Sequence, residues 1–127
     1  MRLLGIDYGR AKVGLALSQG MLAEPVKVIR YEGEDELTQQ IREIVEKEAV
    51  EKIVVGVSEG KSEQEARQYG EKLKSLGVEV VFFDETLSTV SAQELAREAG
   101  MKRKKRKALE DAIAAAVMLQ SYLDSNV

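Results

Sequence analysis

The sequence predicts an α/β fold with one mixed five-stranded sheet, whose elements follow the order β-β-β-α-β-α-β-α-α. Three predicted strands come first and are joined by short turns, as is typical of antiparallel neighbours. Two further predicted strands are separated by segments with helical spacing, and such connections favour parallel strands with helices on the faces of the sheet. No internal repeat or linker divides the 127 residues, so we expect a single domain that spans 1–127.

The first three predicted strands lie at the start of the chain. Residues 2–8 and 12–18 are two apolar runs joined by a short turn, which predicts a hairpin with Asp7 near the end of its first strand. Residues 25–29 alternate enough to predict a third strand. Pro25 would stand at the start of that strand, where a missing N–H is tolerated.

The rest of the chain alternates between helical and strand patterns. Residues 34–49 follow helical spacing, and residues 52–57 form a nearly all-apolar run that is typical of a strand covered on both faces. Ser62 and Glu65 have the spacing of a capping box, which predicts a helix that ends just before Gly77. The remaining predicted elements are a strand at 78–83, a helix between a second capping box (Ser91, Glu94) and Gly100, and a final helix from 108 to about 123 with Leu109, Ile113, Val117 and Gln120 on one stripe.

The composition excludes several classes of site. The chain has no cysteine and no histidine, which removes disulfides, thiolate zinc sites and the histidine-dependent nucleophilic triads. Chemistry would have to rest on carboxylates, lysine, tyrosine or serine, and carboxylate ligands suit hard cations such as Mg²⁺ or Mn²⁺. No apolar run approaches the roughly 20 residues that span a bilayer, and no signal peptide is evident. We therefore expect a cytoplasmic protein with no membrane partner.

One short segment is strongly basic although the net charge of the chain is −3. A run of this kind favours contact with a phosphate backbone, while the alternative is a solvated, flexible loop. Its position predicts a loop between the last two helices. Its six consecutive cations are Lys102, Arg103, Lys104, Lys105, Arg106 and Lys107.

Asp7 needs a physical reason to stand at the end of a buried strand, because a lone buried carboxylate is costly unless it is paired or holds a metal. It would hold a divalent metal for phosphodiester chemistry, or contact the metal and phosphates of ATP as in sugar kinases and actin-like ATPases. The third interpretation is a turn residue that accepts hydrogen bonds from nearby backbone amides. An actin-like ATPase needs a second domain, for which 127 residues are too few.

Further acids stand where separate elements would converge. Asp84 and Glu85 directly follow the predicted strand at 78–83, and Asp111 lies in the first turns of the last helix. Carboxylates at strand ends and on a facing helix can gather around one or two divalent cations. Each also has an ordinary explanation, because Asp84 suits a turn, Glu85 suits solvent and Asp111 suits a helix N-terminus.

Four segments together resemble the YqgF/RuvX family, and they match in order along nearly the whole chain. The resemblance implies a ribonuclease H-like fold, in agreement with the predicted order of elements. The family is described as a nuclease that matures the 5′ end of precursor 16S rRNA, and it was earlier described as a Holliday junction resolvase by analogy with RuvC. The matching segments are 5–18, 53–57, 84–89 and 111–123.

The resemblance also implies roles for particular residues. By position, Asp7, Glu85 and Asp111 are the catalytic carboxylates that would hold Mg²⁺ or Mn²⁺, and Arg10 or Lys12 would contact a phosphate. The implied partner is nucleic acid, with precursor rRNA first and branched DNA as the alternative. Ribosomal particles are a further candidate partner, and the expected state is a monomer or a weak homodimer.

The chain departs from the family pattern in two segments. Thr86 stands where the family has Arg after its Asp-Glu pair, and residues 56–60 replace a Gly-Leu-Pro-Leu-Asn-x-x-Gly segment. Glu59, within that replacement, is either a fourth metal ligand or a solvated loop residue.

Three functions therefore stay open. The first is a metal-dependent endonuclease that acts on precursor 16S rRNA. The second is a Holliday junction resolvase, which should be a two-fold dimer in order to cut two strands symmetrically. The departures from the family pattern keep open the third, a non-catalytic nucleic-acid-binding factor in ribosome assembly.

Overall fold

The computed structural model describes residues 1–58, 60–87 and 103–125. They form one five-stranded sheet in the order β3-β2-β1-β4-β5. The strands are β1 (Leu3–Asp7), β2 (Lys12–Gln19), β3 (Leu22–Arg30), β4 (Lys52–Val57) and β5 (Glu79–Asp84). The helices are α1 (Glu34–Lys47), α2 (Lys61–Leu73), α3 (Arg103–Ala108) and α4 (Glu110–Ser125), with short 3-10 helices at Lys74–Leu76 and Glu85–Leu87.

The strand pairing confirms the predicted mixed sheet. β1 pairs antiparallel with β2, and β2 pairs antiparallel with β3. β4 runs parallel to both β1 and β5. α1 precedes β4 and α2 precedes β5 in the chain. β1 is therefore the central strand, and a side chain at its end has a neighbouring strand on either side.

Each face of the sheet has its own hydrophobic core. Leu4 and Ile6 point to one face, where they are fully buried in a cluster that includes Leu37 of α1 and Tyr69 of α2. Leu3 belongs to the other cluster, which α4 covers. Burying side chains of this size stabilises the fold by about 1.5–3 kcal/mol each. The alternation along β1 thus assigns every residue of that strand to one face or the other.

The third strand is longer than predicted. β3 begins at Leu22, so Pro25 is inside the strand, paired with Ala16 at an irregularity in the β2–β3 register. The expectation that Pro25 starts the strand is wrong. The position tolerates proline because β3 is an edge strand, where one side of the backbone needs no ladder partner.

The capping box predicted at Ser62 and Glu65 is also wrong. The N-cap residue of α2 is Gly60, two residues before Ser62, and that end has no side-chain cap hydrogen bond. Glu65 instead binds Arg10 across the molecule. The other end follows the prediction, because a 3-10 turn continues to Leu76 and Gly77 adopts the left-handed conformation with φ 81°.

The basic segment is helical over most of its length, not the predicted loop. Arg103–Ala108 forms α3, and α4 follows after a single turn residue, Leu109. Lysine and arginine are good helix formers when their charged ends reach water. The helix predicted from Ser91 to Gly100 lies outside the described residues.

The buried stripe of α4 differs from the predicted one. Of the four predicted residues only Gln120 is buried, while Leu109, Ile113 and Val117 are half-buried. The sheet-facing stripe is made of small residues followed by leucines, because α4 lies very close to the strands beneath it. The stripe comprises Ala112, Ala115, Ala116, Leu119 and Leu123. No helix in the described part of the chain is long and apolar enough to cross a membrane.

Candidate active site at the end of the central strand

Asp7 is the last residue of β1, and both of its cross-strand neighbours are glycines. It pairs with Gly14 on β2 and with Gly56 on β4. By alternation Asp7 faces the same way as Leu3, towards α4. The glycines leave space on both sides of the Asp7 carboxyl group, and two other acids enter through that space.

Gly14 lets the start of α4 lie directly on the sheet. A Cβ atom at Gly14 would lie 1.9 Å from the carbonyl oxygen of Asp111 and 2.7 Å from the backbone nitrogen of Ala112. Only glycine permits so close a backbone approach. Asp111, in the first turn of α4, is thereby brought to the side of the sheet that Asp7 faces.

Gly56 does the same for Glu85. A Cβ atom at Gly56 would lie 2.4 Å from Oε1 of Glu85 and 2.9 Å from its Cγ. Glu85 is the first residue of the 3-10 helix that follows β5, and its side chain folds back over β4. The carboxyl group of Glu85 therefore lies over the strand next to Asp7.

The electrostatics of Asp7 report this crowding. Its pKa is raised from 3.8 to about 8, first by burial, then by a hydrogen bond with Glu85 and by the negative charges of Glu85 and Asp111. The pKa of a partly buried carboxyl group beside two others is raised because burial and the neighbouring negative charges both disfavour its charged form. Raised pKa values of this kind are concentrated at functional sites.

Asp84, the other acid of the pair, serves the turn. Its Oδ1 accepts hydrogen bonds from the backbone N–H of Thr86 at 2.9 Å and from the Thr86 hydroxyl at 2.7 Å, and these bonds lower its pKa. By alternation along β5, Asp84 faces away from α4, with Val80 and Phe82. It fixes the start of the 3-10 helix that presents Glu85.

Thr86, the departure from the family pattern, therefore contributes to this turn. Thr86 stands where the family has Arg, and here its backbone N–H and its hydroxyl both donate to Asp84.

The two hairpin cations each bind a carboxylate. Lys12 Nζ lies 2.9 Å from Oδ2 of Asp111. Arg10 binds Glu65 with Nε at 2.9 and 3.1 Å from the two carboxylate oxygens, and a further bond comes from Nη2. Lys12 thus belongs to the acid site, whereas Arg10 ties the hairpin turn to α2. Phosphate contact by either residue stays a prediction.

The basic segment leads into the site along the chain. α3 precedes the helix that carries Asp111, and the side chains of Lys104 and Lys107 are exposed. Arg103, Lys105 and Arg106 are known from their helical backbone, and Lys102 lies outside the described residues. Contact of these cations with nucleic acid stays a prediction.

On the opposite face, tyrosines hold the same strand end. Tyr8 stacks on Tyr69 with ring centroids 4.9 Å apart, and its hydroxyl donates to Glu34 at 2.8 Å. The Tyr31 hydroxyl donates to the carbonyl oxygen of Gly9 at 2.5 Å. Tyr8 is therefore a packing residue that supports the hairpin turn.

The described carboxylates of the candidate site are not arranged around a common metal position. Within residues 1–58, 60–87 and 103–125, no three acids are arranged so that they could hold a metal ion. Asp7 and Glu85 contact each other, while Asp111 binds Lys12. Glu59, the possible fourth ligand, lies outside the described residues.

Sequence reasoning found the three acids but missed what brings them together. Gly14 and Gly56 were available as signals, because a lone glycine inside a strand often marks a close approach of backbone or ligand. The pairing of Lys12 with Asp111 had no signal in the sequence.

Comparison with known proteins places the chain in a family. The model of the family described as "RuvX: Holliday junction resolvase" matches residues 1–125. The chain belongs to the RuvX family. A relative from Agathobacter rectalis is 37% identical, with 98% of this chain and 95% of the relative covered. One from Caldanaerobacter subterraneus is 41% identical over 98% of this chain and 97% of the relative. Both relatives are named "Putative pre-16S rRNA nuclease".

Solved structures of the same fold confirm the ribonuclease H-like α/β architecture. RuvC of T. thermophilus, in complex with a Holliday junction substrate, matches with a TM-score of 0.70 at 19% identity, covering 100% of this chain and 97% of that one. The fowlpox virus resolvase, in complex with Holliday junction DNA, matches with a TM-score of 0.66 at 9% identity, covering 100% and 99%. At these identities the matches establish the fold.

Proposed function

We propose that this RuvX-family chain is a metal-dependent endonuclease that hydrolyses phosphodiester bonds at the 5′ end of precursor 16S rRNA. The observation that carries the proposal is the approach of Glu85 and Asp111 to Asp7 across two glycines, on one face of the sheet. The name shared by relatives that match almost end to end supports the choice of RNA. The proposal includes a single domain that acts in the cytoplasm as a monomer or weak homodimer.

The chemistry of the three carboxylates suits a divalent cation, although in the described residues they do not yet surround a common position, since Asp111 is paired with Lys12. Asp7, Glu85 and Asp111 offer carboxylate oxygens, the ligands that Mg²⁺ and Mn²⁺ prefer. The raised pKa of Asp7 reflects burial and the repulsion between these acids, which positive charge would relieve. When bound, such a cation supplies the charge that activates water and stabilises the departing oxygen of a phosphodiester.

The remaining residues have supporting roles in this proposal. β1 holds Asp7 on the rigid central strand, and the Asp84–Thr86 turn presents Glu85. The exposed cations of α3, including Lys104 and Lys107, would hold the phosphate backbone next to Asp111. The hairpin cations Arg10 and Lys12 would contact phosphates nearer the cut.

Cleavage of a precursor 16S rRNA fragment that spans the 5′ end tests the proposal directly. The wild type should cut it with Mg²⁺ or Mn²⁺ and not with excess EDTA, and Asp7→Asn should reduce the rate at least about 100-fold. Asp84→Asn is the matched control, because asparagine keeps the acceptor for the Thr86 turn and the residue faces away from the site. Equal loss in the two variants would contradict the assignment of Asp7.

A second function is favoured by the description of the matching family, which is a Holliday junction resolvase. A four-way DNA junction should be included in the same assay. Symmetric cutting of the junction, with the RNA left intact and a two-fold dimer in sedimentation, would replace RNA processing with resolution. Metal-independent binding of either substrate without cutting would make the chain a non-catalytic assembly factor.

A further inference from the structure

The ion pair between Lys12 and Asp111 joins the start of β2 to the start of α4. Lys12 is the first residue of β2, two residues before Gly14 and on the same face, where α4 rests on the strand. Its Nζ lies 2.9 Å from Oδ2 of Asp111, and the side chains are 44% and 30% exposed. The pair is thus accessible to ions from solvent, yet one of its members is an acid of the candidate site.

This pair separates the three acids into two groups. Asp7 and Glu85 contact each other, while Asp111 is held by an ammonium group. An ammonium and a divalent cation on the same small carboxylate repel each other strongly at such short distances. A divalent cation that binds Asp111 must therefore displace Lys12, or bind the carboxylate together with Lys12 at a lower affinity.

We propose that Lys12 is an internal counter-ion of Asp111 that a divalent cation must displace. Lys12 thereby lowers the affinity of the site for the metal in the absence of nucleic acid. The proposal rests on the proposed function, since it takes Asp7, Glu85 and Asp111 as the ligands. Once displaced, the ammonium group of Lys12 becomes available for the phosphate contact predicted from the sequence.

Arg10 provides an internal contrast. It lies in the same hairpin turn and is also paired with a carboxylate, but its partner is Glu65 on α2. Loss of the Arg10 charge changes the net charge of the chain by the same amount as loss of the Lys12 charge, while Asp111 keeps its partner. A comparison of the two residues separates competition for Asp111 from a general effect of surface charge.

The test is a titration of the full chain with Mn²⁺ alone, in which free Mn²⁺ is followed by electron paramagnetic resonance. Lys12→Gln should bind Mn²⁺ about 1.5- to 5-fold more tightly than the wild type, the range expected when a competing exposed ion pair is removed. Lys12→Arg, which can keep the pair, and Arg10→Gln should bind like the wild type. Asp7→Asn should weaken binding and so identify the site. Circular dichroism verifies that each variant is folded.

The outcomes distinguish the two proposals. If the wild type and Asp7→Asn bind Mn²⁺ equally, the metal site of the proposed function is wrong. If Asp7 is required but Lys12→Gln binds Mn²⁺ no more tightly than the wild type, the counter-ion role of Lys12 is wrong. Equal tightening in Lys12→Gln and Arg10→Gln also overturns it, because bulk charge then explains the effect.

Discussion

The two faces of the sheet at the end of β1 differ sharply in how well their polar groups are satisfied. On one face Tyr8 stacks on Tyr69 and donates to Glu34, which also binds Lys72. On the other face, one residue earlier, Asp7 lies against Glu85, and its pKa is raised to about 8. The tyrosines stabilise the hairpin turn, whereas on the acid face burial and the repulsion between carboxylates disfavour the charged form of Asp7. Sites that must bind charge often show this pattern, because groups arranged for a ligand are poorly satisfied without it.

The largest expected effect compares a glycine on each face. Gly14→Ala would place a Cβ atom 1.9 Å from a backbone oxygen of α4, which cannot move without shifting the helix. Gly70→Ala, on α2, would meet the edge of the Phe82 ring at 2.4 Å, and that ring is a side chain that can move. We expect Gly14→Ala to lower the free energy of unfolding by about 3 kcal/mol or more and Gly70→Ala by clearly less.

Urea denaturation of both variants measures this difference. Gly33→Ala is the control for steric contact, because a Cβ atom there would meet nothing within 4 Å, and the change of this N-cap residue of α1 should cost less than about 1 kcal/mol. If Gly14→Ala is as stable as Gly70→Ala, the close contact of α4 with β2 is not a constraint on the fold.

The next effect concerns the stored repulsion at Asp7. Since its folded-state pKa of about 8 exceeds its ordinary value of 3.8, folding favours the protonated form. The stability that this provides is present below about pH 4 and is lost as the pH rises towards 8. Asp7→Asn has no such loss, so without metal it should be more stable than the wild type at pH 8, by on the order of 1–3 kcal/mol.

Denaturation in EDTA at pH 5 and pH 8 gives the measurement. The stability gap between Asp7→Asn and the wild type should widen at the higher pH. A gap that stays constant or narrows would mean that Asp7 is not strained by its neighbours.

A smaller effect is expected from the tyrosine that holds the hairpin turn. Tyr31→Phe removes the hydrogen bond to the carbonyl oxygen of Gly9 and should cost about 0.5–1.5 kcal/mol. Tyr69→Phe removes a comparable hydroxyl contact, with Thr38 at 2.9 Å, but leaves the turn untouched. Both should lose similar stability by thermal unfolding, and only Tyr31→Phe should also slow cleavage. If Tyr31→Phe and Tyr69→Phe cleave at equal rates, the hairpin turn does not position the candidate site.

The smallest effect belongs to Glu34, whose side chain is one-third exposed. Hydrogen bonds from Lys72 and Tyr8 lower its pKa below the ordinary value of 4.5. Its contribution to stability is therefore present above about pH 4.5 and is lost as the pH falls through the lowered pKa. Glu34→Gln should cost less than about 1 kcal/mol at pH 7 and should lose less stability than the wild type between pH 5 and 3, measured by urea denaturation.

Local patterns in the sequence predicted most of the fold. Apolar runs located all five strands, and the lengths of the connections between them predicted which pairs run parallel. The wrong predictions concern the preferences of particular residue types, which hydrophobic periodicity does not take into account. Pro25 lies inside β3 because an edge strand tolerates a residue that has no N–H. The basic segment forms α3 because lysine and arginine favour helices.

The acids of the site were found for a different reason. Asp7 stands out because a carboxylate at the end of a buried strand is costly, and Glu85 and Asp111 stand at a strand end and a helix start that we expected to converge. The family resemblance then implied that these three acids are the catalytic ones. Their roles as metal ligands stay a prediction. The sequence did not show that Gly14 and Gly56 admit Asp111 and Glu85 to the Asp7 face, since that depends on which strands lie beside β1.

The sequence by itself determined the strands, the mixed sheet, the exclusion of histidine and cysteine chemistry, and an acid at the end of β1. Only the tertiary structure decided which charges meet. Lys12 and Asp111 are 99 residues apart in the numbering of the chain, and they pair because α4 rests on a glycine of β2. Local sequence patterns report the preferences of neighbouring residues along the chain. Contacts between distant residues depend on packing distances, which are settled when the helix and the sheet come together.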